Sequence, residues 1–224
     1  MEPNQLDLEV PHIDGWTPRT VIEHTALVLR FGCLALAAPP DELPAKSNVE
    51  TRPEGAAILD WFADAVDEAT KALDAADLNA MCPTWTGPQP ASWYLRRLTH
   101  ELSVHRWDAQ AAIGEPDPID PNLAVDGIDE LLEIYMPRRM DFGALAGAGE
   151  TVHLHATDHE SGEWLLTFEQ DGIKWDHSHT KADVAARGPA SDLLLLLWGR
   201  KLPTDVETFG NVELLSRWAS ASSF

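Results

Sequence analysis

Basic residues are scarce in this chain of 224 residues: 16 Lys and Arg stand against 37 Asp and Glu, a formal net charge of −21. A surface that negative repels phosphate backbones and anionic headgroups, so neither nucleic acid nor a membrane is expected as a partner. Cysteine is nearly absent too. Cys33 and Cys82 are too few for a disulfide framework and fit a reducing, cytoplasmic compartment. Cys33 sits among apolar residues in FGCLAL, which describes a packed thiol rather than a nucleophile. Long apolar runs are missing. The longest, Leu193 to Trp198, is far too short to span a bilayer. The opening MEPNQLDLEVPHID has neither the basic n-region nor the apolar h-region of a signal peptide. What is present is ordinary for a soluble globular protein, 44% hydrophobic and 24% charged, with enough chain for one large domain or two small ones. A monomer or weak homo-oligomer is expected.

Helical signals fill the first part. Thr17-Pro18 pairs a capping residue with proline at the first helical position, opening a helix that should reach about Ala38, before Pro39-Pro40. A second is expected from Gly55 to Asp74, with Leu59, Phe62, Val66 and Leu73 at helical spacing, then a loop over Cys82–Pro90. A third should span Ala91 to Ile113 and end at Gly114-Glu115-Pro116, and Asp120-Pro121 should open a fourth, running to Arg139. Gly143–Gly149 (GALAGAG) reads as a linker. Strand alternation follows over Thr151–Thr157 and Trp164–Glu169, with Asp171-Gly172 turning into Ile173, Trp175 and His177 as a hairpin. An apolar helix from Gly188-Pro189 to Trp198 is stopped by Gly199, and a short strand near Val206 precedes a helix over Val212–Trp218. The fold class expected is α+β in two domains: a helical bundle over 1–142 and a small α+β domain with an antiparallel sheet over 150–224.

The segment RRLTHELSVHRWDAQ carries the chemistry. His100-Glu101 and His105 look at first like the zinc-protease motif H-E-x-x-H, but that motif needs its histidines four apart. Here they are five apart, a rotation of roughly 140° on a helix, so they do not readily share one metal. Glu101 and His105 are four apart and project together, with Leu98, Asp108 and Ala112 on the same core-facing stripe. Ionisable groups on such a stripe need a partner, either a divalent cation or each other. On the first helix His24 interrupts the seam Val21, Val28, Phe31 and Ala35. It reads as a satisfied core histidine or as a third ligand from a facing helix. Two histidines and a carboxylate form a common catalytic zinc set with an open fourth position, and the same set holds iron or nickel. Asp108, a turn beyond Glu101, is expected to hydrogen-bond a neighbouring group rather than to ligate.

At these residues the sequence resembles a family. VPHIDGWTPRTVIEHTA and WYLRRLTHELSVHRWDA resemble the N-terminal domain of the mycothiol-dependent maleylpyruvate isomerase family, within the wider DinB/YfiT-like group of metal-binding bundles. GPASDLLLLLWGRKL and VETFGNVELLSRW resemble its C-terminal domain. The resemblance implies metal ligands at His24, Glu101 and His105, with mycothiol as a thiol cofactor. It also implies that Arg200, closing the apolar helix in LLWGR, faces the active site, where a guanidinium suits a dicarboxylate. Family members usually carry a full helix before GWT, whereas here only Met1 to His12 precede that stretch, so the helix beginning at Asp120 is a candidate to complete the bundle. The activity implied is thiol-dependent isomerisation of a small electrophile, or thiol transfer to one. The reading from a different class is a non-catalytic, metal-containing binding module for a small apolar ligand. Arg96, Arg97 and Arg106 are expected in ion pairs, and His153 and His155 on the solvent face of a strand, with His159, His177 and His179 flanking turns; a second, surface metal cluster is the alternative for these histidines.

Overall fold

The computed structural model describes residues 2–46, 49, 52–114, 116–139, 149–170 and 172–221. They fall into two compact units that divide between Asp117 and Pro118. Residues 143–148 of the expected linker lie outside the described residues, as do Glu115 and Asp171.

The first unit is built on α1 (Pro18–Leu36), α2 (Ala57–Ala75) and α3 (Ser92–Ala111). The Thr17 hydroxyl accepts from the Thr20 N–H, and the Thr20 hydroxyl accepts from the Thr17 N–H at 2.7 Å. Two orphan donors at the start of α1 are thereby satisfied, as the sequence signal implied. Both α2 and α3 pack against α1. Its buried face is centred on Ile22, Ala26 and Leu29 and includes Val21, Gly32 and Ala35. Val28 and Phe31 of the expected seam are only half-buried. With two flanking helices the covered arc is wider than a coiled-coil seam and rotated from it, which leaves His24 at its margin. Close approach of α1 to α3 requires Gly32, where an added Cβ would stand 2.9 Å from Leu98 Cδ1. The expected loop over Cys82–Pro90 is a closed turn: β1 (Met81–Cys82) and β2 (Gln89–Pro90) pair antiparallel at its ends. The Tyr94 hydroxyl, fully buried, donates to the Pro83 carbonyl at 2.9 Å and ties the turn to α3.

The second unit begins with α4 (Pro121–Glu130), capped by the Asp120 carboxylate, which accepts from the Asn122 and Leu123 N–H groups at 3.0 and 3.3 Å. A wide turn over Leu131–Tyr135 leads into α5 (Met136–Arg139). The two units divide earlier in the chain than the expected boundary at 142. The helix belongs to the second unit: Ile119 N–H donates to Ser191 Oγ at 2.9 Å, Trp164 Nε1 donates to Asp129 Oδ1 at 2.6 Å, and α4 packs on α6 (Ala190–Leu197). An apolar stripe states that a helix has a buried face but not which body covers it, so the stripe alone left the assignment open.

The sheet contains β3 (Thr151–Ala156), β4 (Glu163–Phe168), β5 (Ile173–Asp176), β6 (Val184–Gly188) and β7 (Glu207–Gly210), in the order β5-β4-β3-β6-β7. It is mixed rather than wholly antiparallel, because β6 enters parallel to β3. Strand β6 (VAARG) was not anticipated, since its alanines carry little of the β-branched signal that marks a strand. One face of the sheet buries Val152, Leu154, Trp164, Leu166, Phe168 and Val184, with α6 packed against β3 and β6. Trp218 of α7 (Glu213–Ala221) approaches Phe168 and donates from Nε1 to the Leu197 carbonyl at 3.0 Å. The architecture is α+β, as expected. Among the described residues no helix is long and apolar enough to cross a membrane.

Candidate metal centre

The residues named from the helix spacing meet. His24 of α1 and Glu101 and His105 of α3 each offer one donor atom, all within 4.8 Å of one another. His24 Nε2 lies 2.6 Å from Glu101 Oε1, and His105 Nε2 lies 3.4 Å from the same oxygen. His100, also buried, is not part of this group, as its five-residue offset from His105 requires. Around a tetrahedral zinc with bonds of about 2.0–2.1 Å, donors stand about 3.3 Å apart, so the observed spacing needs little adjustment to hold an ion.

Two of the three donors are fixed by a second group. Asp108, wholly buried, holds the Nδ1 side of His105 at 2.8 Å and so leaves Nε2 to face the cluster. Arg97, four residues before Glu101, donates to Glu101 Oε2 at 2.9 Å and leaves Oε1 between the two histidines. The ion pair expected of Arg97 is thus made to a candidate ligand. Trp16 supplies a wall, its ring centroid 5.4 Å from that of His24 and stacked at 5.7 Å on that of His105. Gly15 at φ 74° makes the turn that delivers it, closed where Val10 N–H donates to the Trp16 carbonyl at 2.9 Å. This gives the GWT stretch a physical role that spacing alone did not reveal.

The electrostatics follow from burial and contact. Burial pushes the Glu101 carboxyl upward, but hydrogen bonds from His105 and His24 and the Arg97 charge outweigh it and hold the group well below the usual carboxylate range. Burial pulls His105 down, yet Asp108 and Glu101 together push it up to about 9. The cluster is closed on its Glu101 and Asp108 side and open on the other, where the His24 side chain is 41% exposed.

Arg200 lies in the second unit. Gly199, at φ 72°, ends α6 with a Schellman closure: Gly199 N–H donates to the Leu196 carbonyl and Arg200 N–H to that of Leu195, at 3.0 and 2.8 Å. Its backbone is thus fixed. The residue is buried, and Nη1 donates to the Trp198 carbonyl at 2.7 Å. His153, expected to face solvent, is buried beside Glu163.

The family model for the mycothiol maleylpyruvate isomerase N-terminal domain matches residues 1–110, and that for its C-terminal domain matches residues 122–217. The gap between the two matches brackets the division between the structural units. Among solved structures the chain is similar to a mycothiol-dependent maleylpyruvate isomerase at 16% identity and a TM-score of 0.63, over 93% of this chain and 83% of that one. A histidine-to-alanine mutant of the isomerase gives 15% identity with the same TM-score and coverage. At such identity the likeness is one of fold. No curated protein matches the chain. With matches across both units, the chain belongs to the mycothiol-dependent maleylpyruvate isomerase family.

Proposed function

We propose that this chain is a metal-dependent enzyme that uses mycothiol to act on a small electrophile, as an isomerase of the maleylpyruvate type or as an S-transferase. The observation that carries the reading is the convergence of three donors from two helices at a place open on one side. His24, Glu101 and His105 would hold the cation; zinc suits two imidazoles and a carboxylate, and nickel or iron accept the same donors. Bound there, the cation would lower the pKa of a thiol so that it reacts as the thiolate at neutral pH.

The chain's own groups do the rest. Asp108 keeps a proton on His105 Nδ1, so that Nε2 is the nitrogen that gives up its proton to a cation and presents its lone pair. Arg97 neutralises and orients Glu101 through its far oxygen. Trp16 covers the two imidazoles and limits water on that side. The exposed flank at His24 is the way in for thiol and substrate. Arg200 is proposed to bind a carboxylate of the substrate, because a guanidinium on a rigid backbone clamps one bidentately.

The test is turnover of maleylpyruvate, and of other electrophiles, by native, chelator-stripped and zinc-restored protein with and without mycothiol. Activity that requires both metal and thiol, and is lost in His24→Ala, is the expected result. No thiol-dependent activity on any electrophile by the metal-loaded protein would overturn the enzymatic reading and favour a binding module.

A further inference from the structure

A second group of potential ligands lies on the sheet of the second unit, on the face opposite the one that packs under α6. Strand register brings it together. His155 of β3 stands directly across from Glu163 of β4, and His153 lies two residues along β3 on the same face. His179 arrives from the segment after β5, which is tied down where the His177 ring nitrogen Nδ1 meets the Glu163 carbonyl at 2.8 Å. The Glu163 carboxylate is ringed by imidazole nitrogens: His153 Nε2 at 2.5 Å from Oε2, and His155 Nδ1 and His179 Nδ1 at 2.6 and 2.9 Å from Oε1. One donor atom from each of the four residues lies within 4.8 Å of the other three.

The geometry points to a second divalent-metal site, in which His153, His155, His179 and Glu163 bind one zinc ion. The first support is convergence. Three rings from one strand and a loop turn one nitrogen each toward a single carboxylate on the neighbouring strand, with centroids 5.2–6.1 Å apart. Without a cation the same contacts require each ring to donate an N–H to the one carboxylate, and the zinc titration below separates that hydrogen-bonded cluster from a metal site. A cation lets each imidazole contribute a neutral lone pair, and the carboxylate then offsets part of the ion's charge. The second support is the donor set, which is nitrogen-rich and sulfur-free, the chemistry of late first-row divalent ions. The third is position. His153 is buried, its side chain only 10% exposed, and that of Glu163 is 22% exposed, so half the group is held by the sheet. The chain's net charge of −21 favours cation capture as well.

This site differs in kind from the bundle centre. Four protein ligands complete a tetrahedron and leave no open position, which is the form of a structural zinc. Its work would be to pin the segment around His179 to the sheet. The inference rests on strand register and is independent of the function proposed for the bundle.

The experiment uses tag-free, full-length protein, stripped with a chelator and titrated with zinc against a chromophoric competitor. Wild type is expected to bind two equivalents, and His24→Ala and His155→Ala/His179→Ala one each. The single variant His179→Ala alters a side chain that is 73% exposed, so its folding is safe. It should weaken one equivalent by at least the roughly tenfold that outer-shell partners alone are worth. Zinc should also raise the urea midpoint of His24→Ala but not that of the triple variant His24→Ala/His155→Ala/His179→Ala. Wild-type stoichiometry and affinity in His155→Ala/His179→Ala would overturn the site. Failure of the bundle centre would read differently, as unchanged binding in His24→Ala.

Discussion

Replacing Asp108 by Asn should weaken zinc binding at the bundle centre by about tenfold, and more visibly at alkaline than at neutral pH. The Asp108 carboxylate sits 2.8 Å from His105 Nδ1 and is wholly buried. As a charge-assisted acceptor its hydrogen bond is worth about 1.5–3 kcal/mol, against about 0.5–1.5 for a neutral amide oxygen. The difference, about 1.4 kcal/mol, is tenfold in affinity, at the low end of what outer-shell partners contribute to metal binding. A second effect opposes it. In the metal-free protein His105 is pushed up to about 9, so at neutral pH the metal must displace a proton. Two pH units below that value the competition is about 100-fold, or roughly 2.7 kcal/mol. Asn removes part of the push and so relieves part of the competition. Around pH 7 the two effects partly cancel, whereas at about pH 9.5 only the lost hydrogen bond remains. Competitive chelator titrations at both pH values separate them. Unchanged affinity at the higher pH, or a larger loss at the lower one, would refute this account of Asp108.

Arg97→Met should destabilise the metal-free protein by about 3 kcal/mol, the lower end for breaking a buried pair, because His24 and His105 still contact Glu101; urea unfolding that differs from wild type by less than about 0.5 kcal/mol would contradict it. The metal-free protein should lose stability in two directions. Glu101 is depressed in the folded state, so its contribution is present above the usual carboxylate range and lost as pH falls through its folded value. His105 is raised from 6.5 to about 9, so its contribution is full below 6.5 and lost as pH rises through about 9. Unfolding midpoints of chelated protein from pH 4 to 10 should therefore peak at mildly acidic pH, and a flat profile would be the wrong result. Arg200→Lys should cost about 2 kcal/mol in kcat/KM for a carboxylate substrate by losing the planar fork; equal turnover by wild type, Arg200→Lys and Arg200→Ala would remove Arg200 from substrate binding.

Much of the bundle centre was legible because helical periodicity is a strong signal. Glu101, His105 and Asp108 fall on one stripe of α3 by spacing alone, and the structure buries all three. His24 was harder. Its heptad-like spacing placed it in an apolar seam, while in the fold it lies at the edge of a wider buried arc, which is also what opens the cluster. Arg97 carried a usable signal, its four-residue offset from Glu101, but an arginine in an acidic chain has many candidate partners. Trp16 reaches the cluster through a turn at Gly15, and no periodicity encodes a loop's path. The ring of histidines about Glu163 was legible only in part, its histidines as a possible surface cluster and its carboxylate not at all. Alternation marks His153 and His155 as one face of a strand but does not state which residue stands opposite, and that register brings Glu163 into place. The assignment of α4 and the parallel entry of β6 are likewise long-range pairings that local pattern does not carry.

Joint binding of a divalent cation by His24, Glu101 and His105 is open to anomalous diffraction at the zinc edge from crystals grown with zinc. A peak is expected about 2.0–2.2 Å from His24 Nε2, a Glu101 oxygen and His105 Nε2, with Asp108 beyond bonding distance. Zinc-saturated crystals with no peak at this place, or with Asp108 bonded to the ion in place of any of the three, would contradict it.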